Sequence, residues 1–296
     1  MPVVPPYTTP LPPPIMMLQS SVADGPSAGP GGTTAASSTT PNSTSSSLLP
    51  TTTTLPAGVK LKKEKAKEAD GTKDGKAEFK LPKLRLEMRD LEHPASTFFL
   101  EFCTASEALA SAVKEVVKAL YTDKKNHTKV PGTRSVTLIL RSMDGVAYTC
   151  GSDLDSDHKE IHLNLGYIAS IAPNRRKDEL LGVLTHEMVH CYQYDGKGSC
   201  PGGLIEGIAD WVRLKAGLAP PHWKKTGEGE WDAGYDRTAY FLEYLEARYG
   251  EGTAGRLNEK LRTEEYQTKR FWTELLGRPV EQLWLDYGKS LKPEAL

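Results

Sequence analysis

Around Leu165 the apolar residues of this chain change their period, and no other feature constrains the fold as strongly. Before it, short stretches alternate or are β-branched and apolar. Leu84-Arg85-Leu86-Glu87-Met88 reads as a strand, as does Val136-Thr137-Leu138-Ile139-Leu140, bounded by Pro131-Gly132 and Asp144-Gly145. Val146 to Cys150 is expected to return as the hairpin partner of that second strand. Lys159 to Leu165 alternates cleanly as a third, and His162 within it reads as a solvent-facing strand residue rather than a ligand. Helical spacing intervenes once, over 105–121, through Leu109, Val113, Val116, Val117 and Leu120. Beyond Leu165 the period is helical to the end, with helices expected over 176–194, 203–216, 234–249, 252–262, 268–276 and 280–290. A small sheet followed by a mostly helical remainder is an α+β fold, without internal repeats.

The region that can fold is shorter than the 296-residue chain. Residues 1–56 are dominated by Pro, Ser, Thr and Gly and cannot bury enough apolar surface to offset their ordering entropy, so a disordered tail is expected there. Asn42-Ser43-Thr44 and Asn126-His127-Thr128 are glycosylation sequons. Residues 57–82 switch to Lys, Glu and Asp. Their interleaved acids make Lys60–Lys67 read as a solvated linker rather than a nuclear address. One folded domain is expected over 83–292. A net charge of -1 gives no reason to expect nucleic acid as a partner. No run of eighteen apolar residues suggests a membrane span, and the N-terminus shows no signal peptide. A monomer is expected. The four cysteines leave pairing open, with Cys191 and Cys200 flanking one turn.

Chemistry concentrates in the helix expected over 176–194. Thr185-His186-Glu187-Met188-Val189-His190 places two imidazoles four residues apart on one helical face, where both can reach one ion. Glu187 follows His186 directly and can act on water held by that ion. From the chain's own His and Glu usage, roughly one chance match is expected per hundred chains of this length. This one also falls inside a strongly periodic helix.

A catalytic zinc ion takes three protein ligands and keeps a position open for water. After a Gly-rich turn, Gly203-Leu204-Ile205-Glu206-Gly207-Ile208-Ala209-Asp210 supplies the third candidate, Glu206. Asp210 shares its face and can accept the free ring N–H of a ligating histidine. A rival arrangement with a third histidine six residues beyond His190 is excluded, because Gly196 stands there and Gln193 at the third. Gln193 lies on the face of His186 and His190 and can hydrogen-bond near the site or cap the helix.

The run from His186 to Gln193, followed by Gly203 to Arg213, resembles the basic secretory protein family, described as peptidases of plants and bacteria. The likeness extends from about Leu84 to Leu285 and includes Asp144-Gly145-Val146-Ala147-Tyr148 and Ile161-His162-Leu163. It implies a zincin-like, gluzincin-type zinc metallopeptidase with His186, His190 and Glu206 as ligands and Glu187 as catalytic base. The family resemblance suggests secretion; the missing signal peptide and near-neutral charge depart from it.

The expected activity is hydrolysis of a peptide or protein substrate by zinc-activated water, with Glu187 moving the proton. A donor for the developing oxyanion is sought at the start of a later helix, where Tyr235 stands; Tyr240 and His222 compete with it. The strand Ile161–Leu165 is expected to pair with an extended substrate. Two other readings remain: a metal-binding but catalytically inactive interaction module, and a helical domain with an accidental motif.

Overall fold

The computed structural model describes residues 15–16, 79–121, 128–152 and 155–292. The expected tail, the linker up to residue 78 and both sequon asparagines, Asn42 and Asn126, lie outside that set, apart from Ile15 and Met16.

The chain runs β1 (Ile15–Met16), β2 (Lys83–Met88), α1 (Pro94–Phe102), α2 (Ala105–Tyr121), β3 (Ser135–Arg141), β4 (Ala147–Ser152), β5 (Asp155–Asn164) and α3 (Leu165–Ser170). A single 3-10 turn, Pro173–Arg175, leads into α4 (Arg176–His190), α5 (Gly202–Lys215), α6 (Tyr235–Tyr249), α7 (Thr253–Thr263), α8 (Thr268–Leu276) and α9 (Val280–Ser290). The architecture is α+β, a small sheet of four strands, β2 to β5, edged by the two-residue β1, followed by a mostly helical part. The described residues from Lys80 to Lys292, with Ile15 and Met16, belong to one compact unit.

The sheet corrects one expected pairing. β3 does not pair with β4; it pairs in parallel with both β2 and β5, and β4 pairs antiparallel with β5. The hairpin is therefore β4–β5, with β5 inserted between β3 and β4. The cause lies in burial. Leu138 and Leu140 of β3 sit opposite Ile161 and Leu163 of β5, and all four are fully buried. These adjacent strands form one apolar face. β4 is only partly buried and suits the outer position. The two-residue β1 pairs antiparallel with Tyr148 and Thr149 on its far side.

This order overturns the expected substrate role of Ile161–Leu165: both edges of β5 are already bonded within the sheet. His162 is likewise not solvent-facing. It is 4 % exposed, and its ring stacks on Tyr148 at 4.4 Å and 6°.

Helix α2 buries Leu109, Val113, Val116 and Leu120 and packs against α4. α4 is enclosed on nearly every side, burying Leu180 and every residue from Gly182 to Val189. A helix buried all round carries its polar residues inside for a reason. Cys191 and Cys200 form no disulfide with each other or another cysteine. Among the described residues no helix is long and apolar enough to cross a membrane.

Candidate metal centre

Three helices, α4, α5 and α6, meet at His186. α4 starts with Asp178 and Glu179 in its first turn, which complements the positive end of its dipole. One turn before its end it presents His186 and His190 on one face. The chain then reverses through three consecutive left-handed residues, Gly196 (φ 64°), Lys197 (φ 58°) and Gly198 (φ 81°). α5 brings Glu206 and Asp210 against α4. Burial is deep: His186 is 0 % exposed, Glu187 1 %, Glu206 5 % and Asp210 1 %.

The donor atoms cluster as one ion requires. His186 Nε2 lies 3.1 Å from Glu206 Oε2 and 3.2 Å from His190 Nε2, and His190 Nε2 lies 3.7 Å from Glu206 Oε1. Tetrahedral zinc–ligand bonds of about 2.0–2.2 Å place neighbouring donors about 3.3 Å apart. The outer nitrogens are engaged: His186 Nδ1 meets Asp210 Oδ1 at 2.6 Å, and His190 Nδ1 meets the Gln193 side-chain amide at 2.7 Å. The Asp210 carboxylate accepts from Nδ1 of His186 and so leaves Nε2 as the free inward nitrogen, while the Gln193 amide nitrogen packs on Nδ1 of His190 and holds that ring's orientation. Glu206 Oε1 is buried with no hydrogen-bond partner in the protein. A buried carboxylate oxygen left in that state is costly, and a cation between the two histidines satisfies it. The residues present fit a divalent metal ion.

Electrostatics agree. Burial lowers the pKa of His186, but the carboxylates of Asp210 and Glu206 prevail and raise it to about 10. Burial lowers His190 to about 4. Burial works against ionisation of Glu206, yet contact with His186 and His190 holds its carboxyl below the ordinary range. Two carboxylates thus demand positive charge in a dry pocket.

Glu187 sits on the sheet side of the same helix. Thr149 Oγ1 of β4 lies 2.7 Å from Glu187 Oε2 and 3.0 Å from its backbone carbonyl. Burial pushes the Glu187 carboxyl up to about 7. Sequence reasoning missed Thr149, for which no signal existed: it is one β-branched residue among several, and only the pairing of β4 with β5 turns it toward α4.

Tyr235 reaches the site. It opens α6 with its ring centroid 6.4 Å from that of His186 and nearly parallel, at 15°. Its φ of 48° is left-handed, an uncommon backbone for a bulky side chain, and follows Gly234 at φ 86°. Of the two alternatives, Tyr240 meets Trp223 and Lys225, and His222 is exposed in a turn.

Neither a curated protein nor a solved structure matches the sequence. The family described as "Peptidase of plants and bacteria" matches residues 81–287, a span that holds Thr149, the paired histidines, Glu187, Glu206, Asp210 and Tyr235. The chain therefore belongs to that peptidase family.

Proposed function

We propose that residues 83–292 form a zincin-like metallopeptidase domain of the gluzincin type, with His186, His190 and Glu206 as zinc ligands and Glu187 as general base. The observation that carries this reading is the trio of inward donors at 3.1, 3.2 and 3.7 Å around an otherwise unpartnered Glu206 oxygen. Zinc held there supplies Lewis-acid activation of water and of the scissile carbonyl near neutral pH. Asp210 and Gln193 orient the two imidazoles. Thr149 holds one Glu187 oxygen, which leaves the other to take a proton from the attacking water and return it to the leaving amine. A carboxyl brought near neutrality by burial suits both halves of that exchange. The Tyr235 hydroxyl is the donor for the oxyanion that develops on the substrate. Every group comes from one chain, in keeping with a monomer acting on peptide or protein substrates.

The test measures zinc per chain and peptide hydrolysis together. Folded wild type is expected to carry about one zinc, Glu206→Ala to lose most of it, and Glu187→Gln to keep it while losing about 10²–10⁴-fold in kcat. Zinc-free wild type that stays unloaded after zinc is added back overturns the reading. Full zinc with no activity in wild type supports the inactive metal-binding module instead; a buried general base has no use in such a module.

A further inference from the structure

The sheet carries a second set of metal-ligating side chains on its opposite face. Thr149 points to α4, so its neighbours Tyr148 and Cys150 project the other way. Across the β4–β5 ladder, Cys150 is opposite Glu160 and Tyr148 is opposite His162. The Cys150 sulfur, one Glu160 carboxylate oxygen and one His162 ring nitrogen all lie within 4.8 Å of one another. His162 is 4 % exposed; its Nε2 is 3.1 Å from Glu160 Oε2, and its Nδ1 is buried without a partner. The parallel stack on Tyr148 holds the ring plane.

We propose that Cys150, Glu160 and His162 form a second metal site, for a divalent ion of the zinc class, independent of the His186 centre. Sulfur and imidazole together favour zinc or its neighbours over calcium and magnesium, which take oxygen ligands. Tetrahedral coordination needs donors about 3.3–3.6 Å apart, so small rotations of the partly exposed Cys150 and Glu160 side chains close the set. Three protein ligands leave a fourth position for solvent. Each ligand lies on one strand of a two-strand hairpin, so the ion clips β4 to β5. The opposite face of that hairpin presents Thr149 to Glu187, which places the clip directly behind the candidate catalytic machinery. The inference stands without the peptidase reading.

Cobalt distinguishes the two centres, because only this one contains sulfur. Full-length, metal-free, reduced protein is titrated with Co²⁺ and its absorption followed. A sulfur-to-cobalt charge-transfer band in the near ultraviolet is expected, saturating with about one equivalent. Cys150→Ser is expected to abolish the band, and Glu160→Gln to weaken binding by more than about tenfold. Both substitutions are at partly exposed positions and conserve shape. Glu206→Ala is expected to leave the band intact while removing the visible absorption of cobalt at the His186 centre. Cobalt that binds wild type with no such band overturns the proposal and leaves the His186 centre standing. A band that persists in Cys150→Ser also overturns it, by assigning the sulfur to Cys103, Cys191 or Cys200. A band unchanged by Glu206→Ala, with no second equivalent bound in wild type, supports this site and refutes the other.

Discussion

Replacing Asp210 tests how the candidate metal centre is held. Asp210 is 1 % exposed and its Oδ1 lies 2.6 Å from Nδ1 of the fully buried His186. The carboxylate fixes the tautomer that turns Nε2 toward Glu206 and His190. Loss of such an outer partner weakens metal binding by about ten- to a hundredfold, which is about 1.4–2.7 kcal/mol. Asp210→Asn can still accept through its side-chain oxygen, so its cost lies at the lower end. Asp210→Ala removes the acceptor entirely. It also strands a buried ring N–H, which costs the metal-free fold about 1–3 kcal/mol. Competition against a chromogenic chelator gives the affinity, and thermal unfolding of the metal-free protein gives the second quantity. A folded Asp210→Ala that binds zinc within about twofold of wild type refutes the reasoning, because the contact then does no orienting.

Three further substitutions probe the surroundings. Tyr235→Phe is expected to lower kcat by about 10²–10³-fold with zinc content unchanged, measured by steady-state hydrolysis alongside elemental analysis. An equal loss of zinc refutes an oxyanion role. Thr149→Val keeps the strand and removes both hydroxyl contacts to Glu187; kcat is expected to fall while KM holds, and a KM effect alone contradicts a positioning role. The third concerns buried Arg213 and its part-buried partners Glu179 and Tyr167, where Glu179 Oε1 accepts from Arg213 Nη2 at 2.9 Å and from the Tyr167 hydroxyl at 2.8 Å. Burial raises the Glu179 pKa, but Arg213 and Tyr167 prevail and hold it below the ordinary value. A lowered carboxyl contributes stability that is present above its unfolded pKa of about 4.3 and lost as pH falls through the folded value. Glu179→Gln should therefore flatten the acid side of the stability–pH profile below about pH 5, by urea unfolding at several pH values. An unchanged slope contradicts the assignment.

Much of this was legible in the sequence for local reasons. Helices α2, α8 and α9 end where the apolar period and the flanking residues place them, because each buries one stripe and is punctuated locally. That His186, His190, Glu206 and Asp210 come together was readable because i and i+4 on a helix share a face whatever surrounds it. Sheet order was not legible. The nearly continuous apolar run of β3 can pair with either β4 or β5; the choice depends on which strand can lose solvent on both faces, a property of the assembled core. His162 was misread for the same reason. Its flanking polar residues suggest an exposed face, yet that face holds Ile139 at 1 % exposure and the Tyr148 ring. The six-residue α3 is too short to show a period, and α1, although as long as α8, has its apolar residues nearly contiguous (Phe98, Phe99, Leu100, Phe102) rather than spaced as one stripe.

Helix α5 has glycines at two positions facing α6 and the segment before it, with a consequence for motion. A Cβ on Gly203 falls 1.7 Å from the Asp232 carbonyl oxygen, and one on Gly207 falls 2.2 Å from Thr238 Cγ2. At Gly203 the two backbones meet without a side chain between them, at Gly207 the Thr238 side chain packs directly on the α5 backbone, and Gly234 lies 3.6 Å from Glu206 Cβ by the same measure. Glu206 and Tyr235 thus ride on a single stiff corner, and neither shifts unless the other goes with it. Breathing that admits a substrate must come from the opposite wall, where β4 leans on α4 through the hydroxyl of Thr149.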